Sequence, residues 1–132
     1  MTTPDKPLKL QPKCIAFSNN YVNDQKAFIR LVNESDKFVA YRVKTTVPDV
    51  YSIPCAEGYI EPNQFKDLEV ILKKQFVWDK QIASKHKMQV QSLIASEEDF
   101  KIRKIISEIF NHGMEPMKQE FPVLLHPPAG GS

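Results

Sequence analysis

Few residues in this 132-residue chain could do covalent or metal chemistry: three histidines, two cysteines and a run of carboxylates. His86, His112 and His126 are scattered, at no spacing that binds zinc or activates a serine or cysteine, and read as surface residues. Nothing near Cys14 or Cys55 suggests a metal site, and both read as reduced, half-buried thiols. The run Glu97-Glu98-Asp99 could pass for a catalytic carboxylate pair, yet it follows Ser96 and precedes an apolar stretch, where a helix N-terminus attracts negative charge. With only four glycines, at 58, 113, 130 and 131, there is neither a phosphate-cradling loop nor a dinucleotide fingerprint. Lys73-Lys74 and Lys101-Ile102-Arg103-Lys104 lack interleaved aromatics, and the net charge is only +2, so they read as solvated faces and not as a nucleic-acid footprint. The single tryptophan, Trp78, reads as cover for one end of a core. Asn33-Glu34-Ser35 matches a glycosylation acceptor, which matters only in the secretory pathway. The expectation is a protein that is not an enzyme and needs no metal or cofactor.

The elements around these residues are short. Ten prolines and four glycines separate segments rich in Val, Ile, Phe and Tyr, the pattern of brief strands joined by turns. Lys13 to Phe17, Lys26 to Val32, Phe38 to Thr45, Tyr51 to Ile53 with Tyr59-Ile60, Phe65 to Lys73, Lys87 to Leu93 and Lys118 to Leu125 give about seven strands, spaced as in a sandwich. Period two is clearest where Val39, Tyr41 and Val43 alternate with Ala40, Arg42 and Lys44, and where Leu68, Val70 and Leu72 oppose Asp67, Glu69 and Lys73. One segment breaks the rule. Phe100, Ile102, Ile105, Ile106, Ile109 and Phe110 recur at helical spacing behind Ser96, which predicts one helix over 97–110, lying across an end or edge and stopped by Asn111-His112-Gly113. The fold class expected is all-β, with residues 8–125 as a single domain and the Pro- and Gly-containing ends, 1–7 and 126–132, flexible. The chain has no apolar run of about 18 residues and no secretory leader, so a cytoplasmic protein without a membrane span is expected.

At Arg42-Val43-Lys44-Thr45-Thr46-Val47-Pro48 and at Ser84-Lys85-His86-Lys87-Met88-Gln89-Val90-Gln91-Ser92 the chain resembles the major sperm protein (MSP) domain, more specifically the VAP (VAMP-associated protein) type. Leu10-Gln11-Pro12, Leu31-Val32-Asn33-Glu34-Ser35-Asp36 and Gly58-Tyr59-Ile60-Glu61-Pro62 support the same register. The resemblance implies an immunoglobulin-like seven-stranded β-sandwich of the MSP/PapD kind. It also implies binding of acidic peptide segments of other proteins, the FFAT-like motifs that carry two phenylalanines in an acidic tract. Carried over position by position, the peptide-binding residues are Val43, Lys44, Thr45, Thr46, Lys87, Gln89 and Lys118. Lysines on neighbouring strands would gather positive potential to steer the acidic peptide, and threonine hydroxyls and backbone would fix its path.

Three departures from the family pattern stand out. Asp49-Val50 stands where relatives often carry two basic residues, Gln89 where they carry a methionine lining the pocket, and Glu120 where they carry a base. Each lowers the positive charge or roughens the pocket. VAP relatives sit at the endoplasmic reticulum, which this chain would reach through a partner or an anchor outside it. Nematode sperm MSPs share the fold and polymerise for motility, so homodimers or filaments are the alternative expectation.

Overall fold

The computed structural model describes residues 8–18, 21–74, 86–111 and 114–126. Among these, nine strands form two sheets: β1 (Leu8–Gln11), β2 (Ile15–Phe17), β3 (Gln25–Asn33), β4 (Phe38–Thr45), β5 (Tyr51–Ser52), β6 (Glu57–Ile60), β7 (Phe65–Leu72), β8 (Lys87–Ala95) and β9 (Met117–Leu125). One sheet has the order β1-β3-β7-β5 and the other β2-β9-β8-β4-β6. Neighbours are antiparallel except β2, which lies parallel to β9.

The alternation in the sequence becomes the two faces of each sheet. Val39 and Tyr41 on β4, Leu68, Val70 and Leu72 on β7, Met88 and Val90 on β8, and Phe121 on β9 point inward and are at most 1% exposed. They join Leu8, Ile29 and Leu31 in one core between the sheets, which supplies the hydrophobic drive for folding.

The strand count exceeds the expected seven by two: a strand at Leu8–Gln11 precedes the expected first one, and Tyr51–Ser52 and Glu57–Ile60 are separate strands in different sheets. Leu8–Gln11 pairs with β3 in one sheet and Ile15–Phe17 with β9 in the other, and the Gln11–Pro12 peptide bond between them is cis. Local alternation finds a strand but not the sheet it joins.

The helix predicted over 97–110 is instead two: α1 (Glu97–Lys101) and α2 (Ile106–Phe110). Ser96 caps α1 as expected, its side chain accepting from the Asp99 N–H at 3.0 Å. The break falls where Arg103 adopts a left-handed φ of 55°, and the Tyr59 hydroxyl donates to the Lys104 carbonyl at 2.7 Å. Breaking the helix serves packing. Phe100 stacks on Phe38 at 4.7 Å and meets the Tyr59 ring edge-on, while α2 turns Ile106, Ile109 and Phe110 onto Ala40, Leu93 and Ala95 of the outer sheet face. Ile102 and Ile105, which helical spacing placed with them, are 72% and 60% exposed.

Cys14 and Cys55 are both exposed and unpaired, correcting the half-buried reading. Each lies in the short connection next to a strand, which the protein surface carries. Trp78, the ends 1–7 and 127–132, and the His112-Gly113 stop lie outside the described residues. No described helix is long and apolar enough to cross a membrane.

Candidate functional site

The two short helices cover only one end of the outer face of the five-stranded sheet. Along β8, outward-facing Ala95, Leu93 and Gln91 are buried, Gln89 is half-buried and Lys87 is exposed. Along β4 the same gradient runs from Ala40 through Arg42 to exposed Lys44. Arg42 marks the boundary: its guanidinium lies 4.2 Å from the centre of the Phe110 ring, and its Nε donates to the Gln91 side-chain oxygen at 2.7 Å. Gln91 in turn donates to the Gln89 oxygen at 2.6 Å, which fixes the Gln89 amide on the open half of the face.

Register brings the sequence-predicted residues together. Lys44 on β4 stands opposite Gln89 on β8, which stands opposite Glu120 on β9; Thr45 stands opposite Met88, and Gln91 opposite Lys118. Lys44, Thr45, Thr46, Lys87 and Gln89, with Met88 and Glu120, line a shallow cavity of about 190 Å³. Lys118 is exposed on the same sheet face but lines a neighbouring groove, with Glu120 common to both. Val43 differs. Its side chain packs against the core and its N–H donates to the Ala56 carbonyl at 2.8 Å, so it supports the floor of the face.

The threonine hydroxyls are already at work within the fold. Thr46 Oγ1 accepts the Lys87 N–H at 3.1 Å while the Thr46 N–H donates to the Lys87 carbonyl at 3.2 Å, extending the β4–β8 ladder by one pair and setting Lys87 at its mouth. Thr45 Oγ1 accepts the Val47 N–H at 3.2 Å, turning the chain towards Pro48. Among the described residues, Lys44, Lys87, Lys118 and Glu120 form no ion pair. Two lysines therefore face a single carboxylate across the cavity, a local field suited to an anionic ligand.

His86, read from sequence as a surface residue, is 2% exposed. It lies directly under the site, sharing a 2.7 Å hydrogen bond between Nδ1 and the Tyr51 hydroxyl, whose ring it meets edge-on at 5.5 Å. Burial pushes the His86 pKa down and the Tyr51 pKa up. The partner lies 35 residues away on the other sheet, a pairing that sequence spacing does not show. Glu120, which the sequence singled out only as a departure from the family pattern and not as a binding residue, lines the cavity, as period two along Lys118, Glu120 and Pro122 requires. Among the described residues, no group of three or more His, Cys, Asp or Glu could hold a metal ion.

The family model of the MSP (Major sperm protein) domain matches residues 7–115. The chain belongs to the MSP domain family. Among the relatives of this MSP domain, human vesicle-associated membrane protein-associated protein A is 32% identical over 84 residues, which is 64% of this chain and 33% of that protein. The vesicle-associated membrane protein/synaptobrevin-binding protein of Aplysia californica is 30% identical over 98 residues, 74% of this chain and 37% of that one. The MSP domain thus spans about a third of the length of the curated relatives it matches. Solved structures share its fold: WR4, an MSP family member of C. elegans, superposes with a TM-score of 0.71 at 14% identity, covering 92% of this chain and 98% of that one. A PapD-like domain of human CEP192 does so with a TM-score of 0.61 at 10% identity, covering 96% and 91%.

Proposed function

We propose that this MSP domain is a non-enzymatic interaction module that binds short acidic, FFAT-like segments of partner proteins on the open half of its five-stranded sheet, as an adaptor in the cytoplasm or at the endoplasmic reticulum surface. The observation that carries the reading is the cavity where Lys44 and Lys87, from adjacent strands, flank Thr45, Thr46 and Gln89 without an ion-pair partner among the described residues. Kinship with the VAMP-associated proteins supports the same class of partner.

An extended acidic peptide gains from such a face in two ways. The lysines attract it before contact, and the ladder that holds Thr46 to Lys87 fixes the backbone from which the Lys87 ammonium reaches it. The test is a titration with a peptide carrying two phenylalanines in an acidic tract, against a variant whose acids are neutralised. Binding should weaken with added salt and fall at least tenfold when Lys44→Asp and Lys87→Asp are combined, the order of effect expected when two charge contacts reverse sign. An unchanged titration in the double variant removes the lysines from the mechanism.

A second reading, self-association, is favoured by the outer face of the other sheet. There Phe28 and Phe65 stand 59% and 53% exposed. It requires concentration-dependent dimers or filaments without peptide, which sedimentation velocity would detect.

A further inference from the structure

The edge of β9 holds a feature independent of the lysine cavity. β2 pairs with β9 only at Val123, Leu124 and Leu125, so among the described residues no strand lies beside Met117 to Glu120 on that side. The ladder fixes which backbone groups look outward there. Because Lys87 bonds to Thr46 on the β4 side, the pair Lys87–Pro122 is a non-bonded one, and by alternation the N–H and C=O groups of Lys118 and Glu120 point away from β8. Pro122 fits this geometry, since its missing N–H faces the side with no ladder to β8.

The opposite lip has the same character. Asn33 directs its N–H to Gln64 at 2.8 Å, so its partner Leu8 turns its backbone away from β3, and Leu10 follows by the same alternation. The Leu8 carbonyl accepts from the Gln119 side chain at 2.8 Å, which joins the two lips. Between the lips runs a groove of about 520 Å³ lined by Leu8, Lys9, Leu10, Lys13, Glu34 and the segment Lys118–Glu120. Lys9 is engaged by Glu34 at 3.8 Å, while Lys13 and Lys118 have no ion pair among the described residues.

We propose that this open edge accepts one extended segment of a partner protein as an added strand, hydrogen-bonded to the backbone of Lys118 and Glu120, with acidic side chains towards Lys118 and Lys13. The walled groove suits a single strand better than the flank of a second folded copy. Backbone pairing would supply affinity, and the two lysines would select acidic sequence and disfavour the indiscriminate edge pairing that exposed strands risk. The inference rests on the acidic-peptide reading for the chemistry of its ligand but not on the Lys44–Lys87 cavity.

The test uses the same acidic two-phenylalanine peptide with the variants Glu120→Pro and Glu120→Ala. Both remove the carboxylate, whereas only proline removes the outward N–H, which is not needed for pairing with β8. Glu120→Ala should bind at least as well as the parent and Glu120→Pro at least tenfold worse than Glu120→Ala. Should the proline variant not fold, amide hydrogen exchange on the unaltered protein decides: the Lys118 and Glu120 amides should exchange slowly only with peptide bound. Equal binding by the two variants, or peptide binding that leaves these amides unprotected, overturns the edge proposal while leaving the cavity reading intact. Slow exchange of both amides before peptide is added, in a monomer or in a dimer seen by sedimentation, also overturns it, because the edge is then filled by the chain itself or by a second copy.

Discussion

On the proposed reading, Glu120 is the residue on which the selectivity of this face turns. It stands in the cross-strand row Lys44–Gln89–Glu120 and separates Lys118 from the two cavity lysines. A carboxylate there repels an acidic ligand at close range, so Glu120→Lys should tighten binding of an acidic peptide by roughly tenfold at low salt, with the gain shrinking as salt rises. Calorimetric titration at two ionic strengths checks this, and equal affinities would show that the carboxylate lies off the peptide path. Asn33 is the residue on which the frame turns. Its side chain donates to the carbonyls of Lys37, Ile60 and Glu61 at 2.7, 3.1 and 3.0 Å and accepts from the N–H and hydroxyl of Ser35. With its amide nitrogen consumed and the residue 0% exposed, the apparent glycosylation acceptor is a knot between two turns. Asn33→Ala leaves those groups unpaired in the interior and should cost about 3 kcal/mol, read as a lower denaturant midpoint at unchanged slope.

At the scale of the element, what was legible followed from period two. β4 and β7 each have one face in the core, so Val39 and Tyr41, or Leu68, Val70 and Leu72, declare themselves by alternation. The helix was misread because its spacing treats Ile102 and Ile105 as core, whereas a bend at Arg103 was needed to bring α2 down onto Ala40 and Leu93. That bend depends on Phe38 and Tyr59, which approach Phe100 from other strands and leave no trace in the local pattern. His86 was missed for the same reason, and it gives β8 a pH dependence. Burial holds its pKa below the ordinary 6.5, so as pH falls below that value the unfolded chain takes up a proton that the folded chain refuses. Its contribution to stability is therefore complete above about pH 6.5 and is lost as pH falls towards the depressed folded value. Thermal melts between pH 7.5 and 5 should show this loss, with a shallower slope in His86→Gln; equal slopes would mean that the ring titrates normally.

At the scale of the molecule, one architectural fact positions the candidate site: the outer face of the five-stranded sheet is half roofed by α1 and α2 and half open. The roofed half is apolar and braced by Arg42 against Phe110; the open half carries Lys44, Lys87, Gln89 and Lys118. The sequence motifs placed these residues in register, but their division between a cavity and an adjoining groove came from how β1 and β9 face one another, a relation across 111 residues. The central claim is that an acidic peptide lands on this open half and the β9 edge that adjoins it. Amide chemical-shift mapping of the isotope-labelled protein with the acidic two-phenylalanine peptide tests it most directly. The account expects shifts concentrated at Lys44–Thr46, Lys87–Gln89 and Lys118–Glu120, weakening as salt is added; shifts confined to the Phe28–Phe65 face, or none at millimolar peptide, would contradict it.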